Sequence, residues 1–387
     1  MNDDGGRRAI SRRTALGAGT ALGVTSLAGC LGFFGNDEQN AEIPSLSEFR
    51  GSGSLVEGRS APGGTSIEEL PNLSGDLALY IGGGEGGIYY QFVEMLEQIY
   101  PDFEVHPSDN SSASLAQTIV EEVDAGAAQA DVFWSIDASS LGFVADNDAY
   151  EPLSDAAVEP VANSQYVGGD KAWAGVAGRA RAVPYNTNEL SASDIPNTVQ
   201  EFPNTDALQG TMGWAPTYGA FKSFVTAMRL LEGEETTRDW LVSMREAGTE
   251  RYGNEYAVSQ AVADGALTAG FANHYYAMRV KNGRPDAPID LAFTNGDAGA
   301  LINVAGALKV KGTQRGELVD DFVRHLLSAE AQEFFATQSF AYPMIEGVAP
   351  VGGLPTIDEL SPPEIDLSKL SNIEPTLELM DEAGVSG

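Results

Sequence analysis

Short apolar segments alternate with amphipathic segments through the middle of the chain. Residues 77–81 form an apolar run typical of a buried strand, and Phe92, Met95, Leu96 and Ile99 follow at the spacing of a helix face. The alternation continues in strand-like residues 103–106 and 131–134, and in helix-like residues 115–123, 318–327 and 331–336. Strands that alternate with helices predict an α/β fold with a parallel sheet.

A glycine-rich turn joins the first predicted strand to the first predicted helix. Gly82, Gly84 and Gly87 satisfy the G-x-G-x-x-G pattern of dinucleotide-binding folds, in the required strand-turn-helix context. Glu85 would place a carboxylate beside a pyrophosphate, which is unfavourable. The turn is therefore compatible with an exported dinucleotide-dependent oxidoreductase, or with a helix N-terminus open to another ligand.

Composition narrows the range of functions. The 387 residues carry 22 Lys and Arg against 56 Asp and Glu, for a net charge of −34. This charge argues against nucleic-acid binding, whereas a hydrophobic content of 43% allows a large core and the length suggests two lobes. The acidic residues are spread along the chain, which is typical of proteins adapted to molar salt, where the screening length is about 3 Å.

The first thirty residues resemble an export signal. Arg12 and Arg13 lie in a twin-arginine-like sequence, and residues 15–28 follow without a charge. Cys30, the chain's single cysteine, ends a lipobox-like Leu-Ala-Gly-Cys sequence. We expect residues 1–30 to be removed or lipidated as a signal, and residues 31–75 to form a flexible tether. The protein would then be exported, anchored by Cys30 and displayed at the cell surface.

Common catalytic signatures are absent from the sequence. There is no phosphate-binding G-x-x-x-x-G-K-[ST] loop, no H-E-x-x-H zinc helix and no G-x-S-x-G nucleophile turn. The three histidines have no ligand-like spacing, and His325 lies within an amphipathic segment that favours a structural role. On these signatures alone an enzyme is possible but unsupported.

Residues 76–350 resemble the iron(III)-binding branch of the solute-binding proteins of ABC transporters. The similar segments occur in family order at 131–134, 137–142, 178–187, 213–219, 224–229, 271–276, 295–299, 303–306, 327–332 and 340–343. The resemblance implies a two-lobed α/β fold of the periplasmic-binding-protein type II, with the ligand in a cleft that closes on binding. It also implies a binding protein without catalysis, a monomer that docks on a membrane permease powered by a separate ATPase.

The lobes predicted from the resemblance are discontinuous in sequence. Residues 76–175 and 290–345 would form lobe one, and residues 176–289 and 346–387 would form lobe two.

The resemblance also suggests the iron ligands. Tyr275 and Tyr276 match the family's tyrosine pair, Tyr185 matches a third phenolate, and Glu85 is a candidate fourth ligand. Fe(III) prefers anionic oxygen, and a bound trivalent cation can favour the phenolate of a side chain that is otherwise neutral at pH 7. Two adjacent tyrosines can reach one metal only from a helix start or an irregular turn.

Further cleft residues follow from the same comparison. The family's arginine, which helps to hold a synergistic anion, is replaced by Gly83, and Arg179 or Arg181 are candidate substitutes. The predicted cleft residues are Gly83, Gly84, Trp134, Asp137, Arg179 and Asn254. Tyr89 or Tyr90 are alternative first-lobe phenolates. A small organic or phosphorylated solute, such as thiamine, a phosphonate or a polyamine, is the alternative ligand for this scaffold.

Overall fold

A computed structural model describes residues 43–83 and 87–386. Its strands are β1 (Gly75–Gly82), β2 (Phe103–Asn110), β3 (Val132–Ser135), β4 (Tyr150–Glu151), β5 (Trp173–Asn186), β6 (Met212–Trp214), β7 (Glu250–Arg251), β8 (Ala269–Gly270), β9 (Ala272–Asn273), β10 (Ile289–Ala292) and β11 (Ile302–Val310). Its helices are α1 (Leu46–Phe49), α2 (Ile88–Ile99), α3 (Ser112–Asp124), α4 (Ala138–Asp146), α5 (Asp155–Val158), α6 (Gly219–Glu232), α7 (Glu234–Glu246), α8 (Glu255–Ala263), α9 (His274–Gly283), α10 (Gly316–Leu326), α11 (Ala329–Gln338), α12 (Ile357–Leu360) and α13 (Glu374–Glu382).

The first half of the sheet has the strand order β2-β1-β3-β11-β5. Strands β1, β2 and β3 are parallel, as the alternation of strands and helices predicts, and β11 runs antiparallel to both β3 and β5. Helices α2, α3, α10 and α11 pack around these strands. The glycine turn follows the carboxyl end of β1, where open α/β sheets bind their ligands.

Strand β5 is long enough to belong to both halves of the sheet. Its first residues pair with β11, whereas Val183–Asn186 pair with β10 and Tyr185 pairs with β8. The second half then has the order β10-β5-β8-β6-β7, with β6, β7 and β8 parallel. In the first half β11, which comes from the second half, lies between β3 and β5. In the second half β5, which comes from the first half, lies between β8 and β10, so β5 forms the crossover between two lobes.

Two lobe boundaries differ from the predicted ones. The predicted first lobe began again at residue 290, but β10 pairs with β5 in the second half, where Asp290 lies opposite Tyr185. The predicted second lobe contained all of 346–387, but Leu367–Ser371 packs on α4 of the first lobe, and α13 then packs on α6 and α7. The C-terminal segment thus crosses between lobes, because its apolar residues have partners on both.

Aromatic side chains fill the core of the first lobe. Tyr89 of α2 stacks on Trp134 of β3 with ring centroids 4.0 Å apart, and Phe335 of α11 lies 5.8 Å from the Trp134 centroid. His325, as predicted, is structural: it is fully buried and its Nε2 lies 2.9 Å from the Tyr100 hydroxyl. Burial lowers the pKa of His325 to about 4, so its imidazole is neutral at neutral pH.

The residues that precede β1 pack on the first lobe. Phe49 and Ile67 are buried, and the Gly51 amide donates to the Thr337 hydroxyl of α11 over 3.1 Å. The prediction of a flexible tether over 31–75 therefore differs from the structure over 43–75. Single apolar residues in a polar segment find partners on α11 that the local sequence does not reveal. Within the described ranges, no helix is both long and apolar enough to cross a bilayer.

A buried carboxylate fastens this N-terminal segment. Glu333 of α11 is 1% exposed and accepts bonds from Arg50 at 2.6 Å and from Arg59 at 2.8 Å. Burial alone would raise the pKa of Glu333, but Arg59 and Arg50 outweigh it and hold the pKa below its usual range. The ion pairs therefore stabilise the fold above the unfolded pKa of the carboxyl and are lost as the pH falls through the lowered folded pKa.

We predict that Glu333→Gln lowers the free energy of unfolding by about 3 kcal/mol at pH 7, because two arginines lose their buried counter-charge. Chemical denaturation in molar salt measures the change. Glu378→Gln removes an exposed charge and serves as the control, with an expected change of about 0.5 kcal/mol or less. The gap in stability between Glu333→Gln and wild type should begin to narrow at about pH 4 and should close as the pH falls through the lowered folded pKa of Glu333, so a gap that acid does not narrow would contradict the ion-pair explanation.

Candidate metal site

Two loops of the second lobe leave the sheet at the same edge. One follows β6 and leads through Tyr218 into α6, and the other follows β8 and leads through β9 into α9. Strands β6 and β8 are parallel neighbours, so their carboxyl ends lie side by side. The two loops are therefore adjacent, and they bring tyrosines from distant parts of the sequence together.

The predicted tyrosine pair lies in the first turn of α9. Tyr275 and Tyr276 are 6% and 8% exposed, and their ring centroids are 4.3 Å apart. The helix start explains how both rings reach one side, since neighbouring residues in a strand would point to opposite faces. The pair thus lies at a helix start, one of the two settings that the sequence analysis allowed for a shared metal.

Tyr218 joins the pair through its hydroxyl, which is hydrogen-bonded to the hydroxyl of Tyr276. The two rings meet edge to face, with centroids 6.1 Å apart. Burial raises the pKa of Tyr276 strongly, and its interactions with Tyr275 and Tyr218 raise the pKa further. Tyr276 is therefore a neutral phenol at neutral pH, and the hydroxyl groups of the other two tyrosines converge on it.

A cation lies over the tyrosine rings. The Arg279 guanidinium is 5.2 Å from the ring centroid of Tyr275 and 5.7 Å from that of Tyr276. Arg279 lies one helical turn after the pair, which explains its contact with both rings. A positive charge at this distance favours a phenolate over a phenol, and so does the N-terminal end of α9.

A buried ion pair holds the start of α9 against the crossover strand. Arg181 of β5 donates to Glu255 over 2.5 Å, and their side chains are 4% and 0% exposed. The second carboxylate oxygen of Glu255 accepts the Asn273 amide over 2.8 Å, and Arg181 also donates to the Asn273 side chain over 3.1 Å. Arg181 thus has a structural role, because its charge is paired with Glu255 and both side chains hold Asn273, two residues before Tyr275.

His274 holds the same helix start from the other side. Its Nε2 lies 2.6 Å from the Phe340 carbonyl oxygen, and its Nδ1 lies 3.2 Å from the Ala180 amide. Burial lowers the pKa of His274 to about 4, although both backbone contacts raise it, so the ring is neutral at neutral pH. The imidazole therefore connects the tyrosine helix to β5 and to the end of α11.

The tyrosine pair lies where the two lobes meet. Tyr275 and Tyr276 share a small apolar cluster with Ala336 and Phe340, which belong to the α11 region of the first lobe. Leu55 of the N-terminal segment packs against the same cluster. The buried tyrosine pair is therefore in contact with residues of both lobes.

The structure places Tyr185 apart from the pair. Tyr185 is 6% exposed and packs in the large core cluster, whereas Tyr275 and Tyr276 belong to a separate cluster. Burial and the nearby Asp290 carboxylate raise the pKa of Tyr185. Its predicted role as a metal ligand receives no support from these surroundings.

Three predicted cleft residues have structural roles in the described chain. Trp134 is fully buried in the core of the first lobe under Tyr89, so the prediction that it lines a cleft is wrong. Asp137 caps α4 by accepting the Ser140 amide over 2.8 Å. Asn254 caps α8 by accepting the Ala257 amide over 2.9 Å.

Of the remaining predicted residues, Gly83 and Arg179 lie within the described part of the chain. Gly83 is exposed after β1 with a φ of +78°, which a glycine adopts without strain. Arg179 is half-buried in β5, opposite Asn303 of β11. Gly84, Glu85 and Cys30 are outside the described residues, so the proposed fourth ligand and the lipidation site stay predictions.

Comparison with known proteins identifies the family. Residues 128–362 match the family model of the bacterial extracellular solute-binding proteins. The chain belongs to this family. The fold expected for such a solute-binding protein, two α/β lobes of the periplasmic type II arrangement, is confirmed by the two sheet halves and their shared crossover strand.

Several relatives of this solute-binding protein have names that refer to iron. The chain is 31% identical over 260 residues to the major ferric iron-binding protein of Neisseria meningitidis, a match that covers 66% of this chain and 78% of the relative. It is 27% identical over 281 residues to the Fe(3+)-binding periplasmic protein of Serratia marcescens, covering 72% and 81%. The structure of iron-bound HitA from Pseudomonas aeruginosa superimposes with a TM-score of 0.67 at 27% identity, covering 80% of this chain and 99% of HitA.

Tyr218 is the site residue that the sequence analysis missed. It lies in the segment 213–219 that carries part of the family resemblance, but nothing in its local pattern separates it from a helix-entry residue. Had the parallel pairing of β6 with β8 been predicted, the loops that follow these strands would have been expected to lie together, and Tyr218 would have been a candidate.

Proposed function

We propose that this solute-binding protein captures Fe(III) outside the cell and delivers it to the permease of an ABC importer. The observation that carries the proposal is the cluster of tyrosine hydroxyl groups around Tyr276 at the junction of the lobes. The relatives named for ferric iron support the same ligand. We expect Tyr275 and Tyr276 to bind the metal as phenolates.

The donor set suits Fe(III) better than softer or less charged ions. Phenolate oxygen is a hard anionic donor, and Fe(III) is a hard trivalent cation, so their attraction compensates for the loss of the phenolic protons. Magnesium and calcium prefer carboxylate, carbonyl and water oxygens, and zinc prefers nitrogen and sulfur. The three phenols therefore support iron over divalent metals.

Delivery requires that the two lobes close and open around the site. Iron that contacts the tyrosines of the second lobe and a residue of the first lobe, such as Glu85, would favour the closed form, because only that form completes the ligand set. The closed form would then dock on the permease as a monomer. Export by residues 1–30 and a lipid on Cys30 would keep the protein near its permease, in the molar salt that its acidic composition favours.

Metal analysis of the purified protein tests the function. The wild-type protein is incubated in molar salt with ferric citrate, zinc or magnesium, desalted and analysed for bound metal. We expect about one iron per chain and little zinc or magnesium. Stabilisation by thiamine, a phosphonate, a polyamine or a dinucleotide, with no retained iron, would favour one of the alternative ligands.

We further predict that acid weakens iron binding. Each phenol that binds Fe(III) must release a proton, so the affinity should fall about tenfold per pH unit for each phenolate ligand. Competition with a ferric chelator between pH 6 and 8, corrected for the protonation of the chelator and for iron hydrolysis, measures this slope. An affinity that does not change with pH would contradict phenolate ligands.

A further inference from the structure

Residues 50–59 form a loop, here called the arginine loop, whose two ends are fastened to one carboxylate. Arg50 donates to Glu333 over 2.6 Å and Arg59 donates to it over 2.8 Å, and Arg59 also donates to the Ala349 carbonyl oxygen over 2.7 Å. Because Glu333 lies on α11, the loop begins and ends on the first lobe. The residues between the two arginines therefore project from a fixed base.

The tip of the arginine loop reaches the tyrosine helix of the second lobe. The Val56 amide donates to the Gly53 carbonyl oxygen over 2.9 Å, so the tip is a tight turn. A Cβ added at Gly53 would lie 2.8 Å from the side-chain oxygen of Asn282, which belongs to α9. The loop is thus based on the first lobe while its tip lies against α9.

Leu55 is the side chain of the tip that packs against the tyrosine cluster. It is half-buried, and it contacts the apolar cluster that contains Tyr275, Tyr276 and Met278 of α9. Leu55 and Met278 also converge on Gly352, where an added Cβ would lie 3.2 Å from the Leu55 side chain and 2.5 Å from that of Met278. A hydrocarbon side chain has no donor atom for a metal, so an effect of Leu55 on iron must act through the tyrosines.

Helix α9 depends on such outside support. It has ten residues, and helices of this length are held mainly by tertiary packing. Metal ligands have to stay within about 0.5 Å of their productive positions, which requires that the residues around them are locked by packing. Truncation of Leu55 would leave a gap beside α9, and the tyrosines would move as the helix shifts into it.

We propose that Leu55 is a positioning residue for iron binding. The arginine loop carries it from the first lobe onto α9, where it holds Tyr275 and Tyr276 in the arrangement that binds the metal. The inference rests on the proposed function of Fe(III) capture. It gives a part in ligand binding to a segment that lies outside residues 128–362, the range that matches the family.

Iron affinity and visible absorption of Leu55→Ala test the inference. Competition with a ferric chelator in molar salt should show about tenfold weaker binding, the loss expected when a residue that supports a metal ligand is changed. The phenolate-to-iron band of the iron-saturated variant should also shift, because the ligand geometry differs. Leu55→Met keeps the apolar volume and should restore both properties. Ile67→Val is the matched control, because Ile67 is a buried residue of the same N-terminal segment but packs in the large core cluster.

A double variant tests whether the arginine loop acts through its base. If the two arginines hold Leu55 in place, Glu333→Gln should itself weaken iron binding at temperatures where it stays folded. Leu55→Ala combined with Glu333→Gln should then bind iron about as tightly as the weaker single variant. Losses that simply multiply would show that Leu55 does not depend on the ion pairs, and would overturn the role of the loop.

The other outcomes are equally distinct. Wild-type affinity and an unchanged band for Leu55→Ala would overturn the inference, and so would equal losses in Leu55→Ala and Ile67→Val. Absence of bound iron in the wild type would instead overturn the proposed function. Hydrogen exchange of the α9 amides in the metal-free proteins then still tests the contact: faster exchange in Leu55→Ala than in Ile67→Val supports positioning by Leu55, and equal exchange overturns it.

Discussion

Replacement of Tyr276 by phenylalanine should lower the affinity for Fe(III) by more than about 100-fold. Changing a residue that only hydrogen-bonds to a metal ligand lowers metal affinity by about 10- to 100-fold, so loss of a ligand itself should cost more. Tyr276 lies at the centre of the hydroxyl cluster, so the substitution removes one phenolate and the hydrogen-bonding partner of Tyr218. The ring remains, and the free energy of unfolding should change by only about 1 kcal/mol.

Competition against a ferric chelator, with thermal unfolding of the metal-free protein, measures both quantities. Tyr256→Phe removes a hydroxyl from an exposed neighbouring ring and should bind iron as the wild type does. Equal affinities for Tyr276→Phe and the wild type would assign Tyr276 to the apolar cluster that it shares with Phe340.

The substitution Glu255→Gln should be the most destabilising of those considered, with a loss of about 3–5 kcal/mol. It leaves the Arg181 charge buried without its counter-charge, and it weakens the hydrogen bond that the Asn273 amide donates at the start of α9. Because Asn273 directly precedes the tyrosine helix, we also expect weaker iron binding at temperatures where the variant stays folded.

Glu234→Gln is the matched control, because Glu234 is 67% exposed and lies 3.8 Å from Arg229. Its stability should change by about 0.5 kcal/mol or less. Denaturation in molar salt and iron titration of both variants test the prediction. A Glu255→Gln protein as stable as the control would show that the buried ion pair does not hold α9 in place.

The parts of the fold that depend on local periodicity could be predicted from the sequence. The apolar runs at 77–81 and 131–134 form β1 and β3, and the i, i+4 spacing of Phe92 and Leu96 places both in the buried face of α2. For Tyr275 and Tyr276 the sequence predicted a helix start or an irregular turn, and the structure has the helix start.

Features that depend on distant partners could not be predicted in this way. Phe49 and Ile67 lie in a polar segment, and their burial depends on α11, more than 250 residues away in the chain. Trp134 was predicted to line the cleft from the family resemblance, but Tyr89 and Phe335 enclose it. The contact between Tyr218 and Tyr276 spans 58 residues and follows from the pairing of two short strands.

The visible spectrum of the wild-type protein, titrated with ferric citrate in molar salt, tests the central claim most directly. Phenolate ligation predicts a charge-transfer band that grows in proportion to bound iron and saturates at about one iron per chain. Iron that is retained at this stoichiometry without any visible band would contradict binding through the tyrosines at the start of α9.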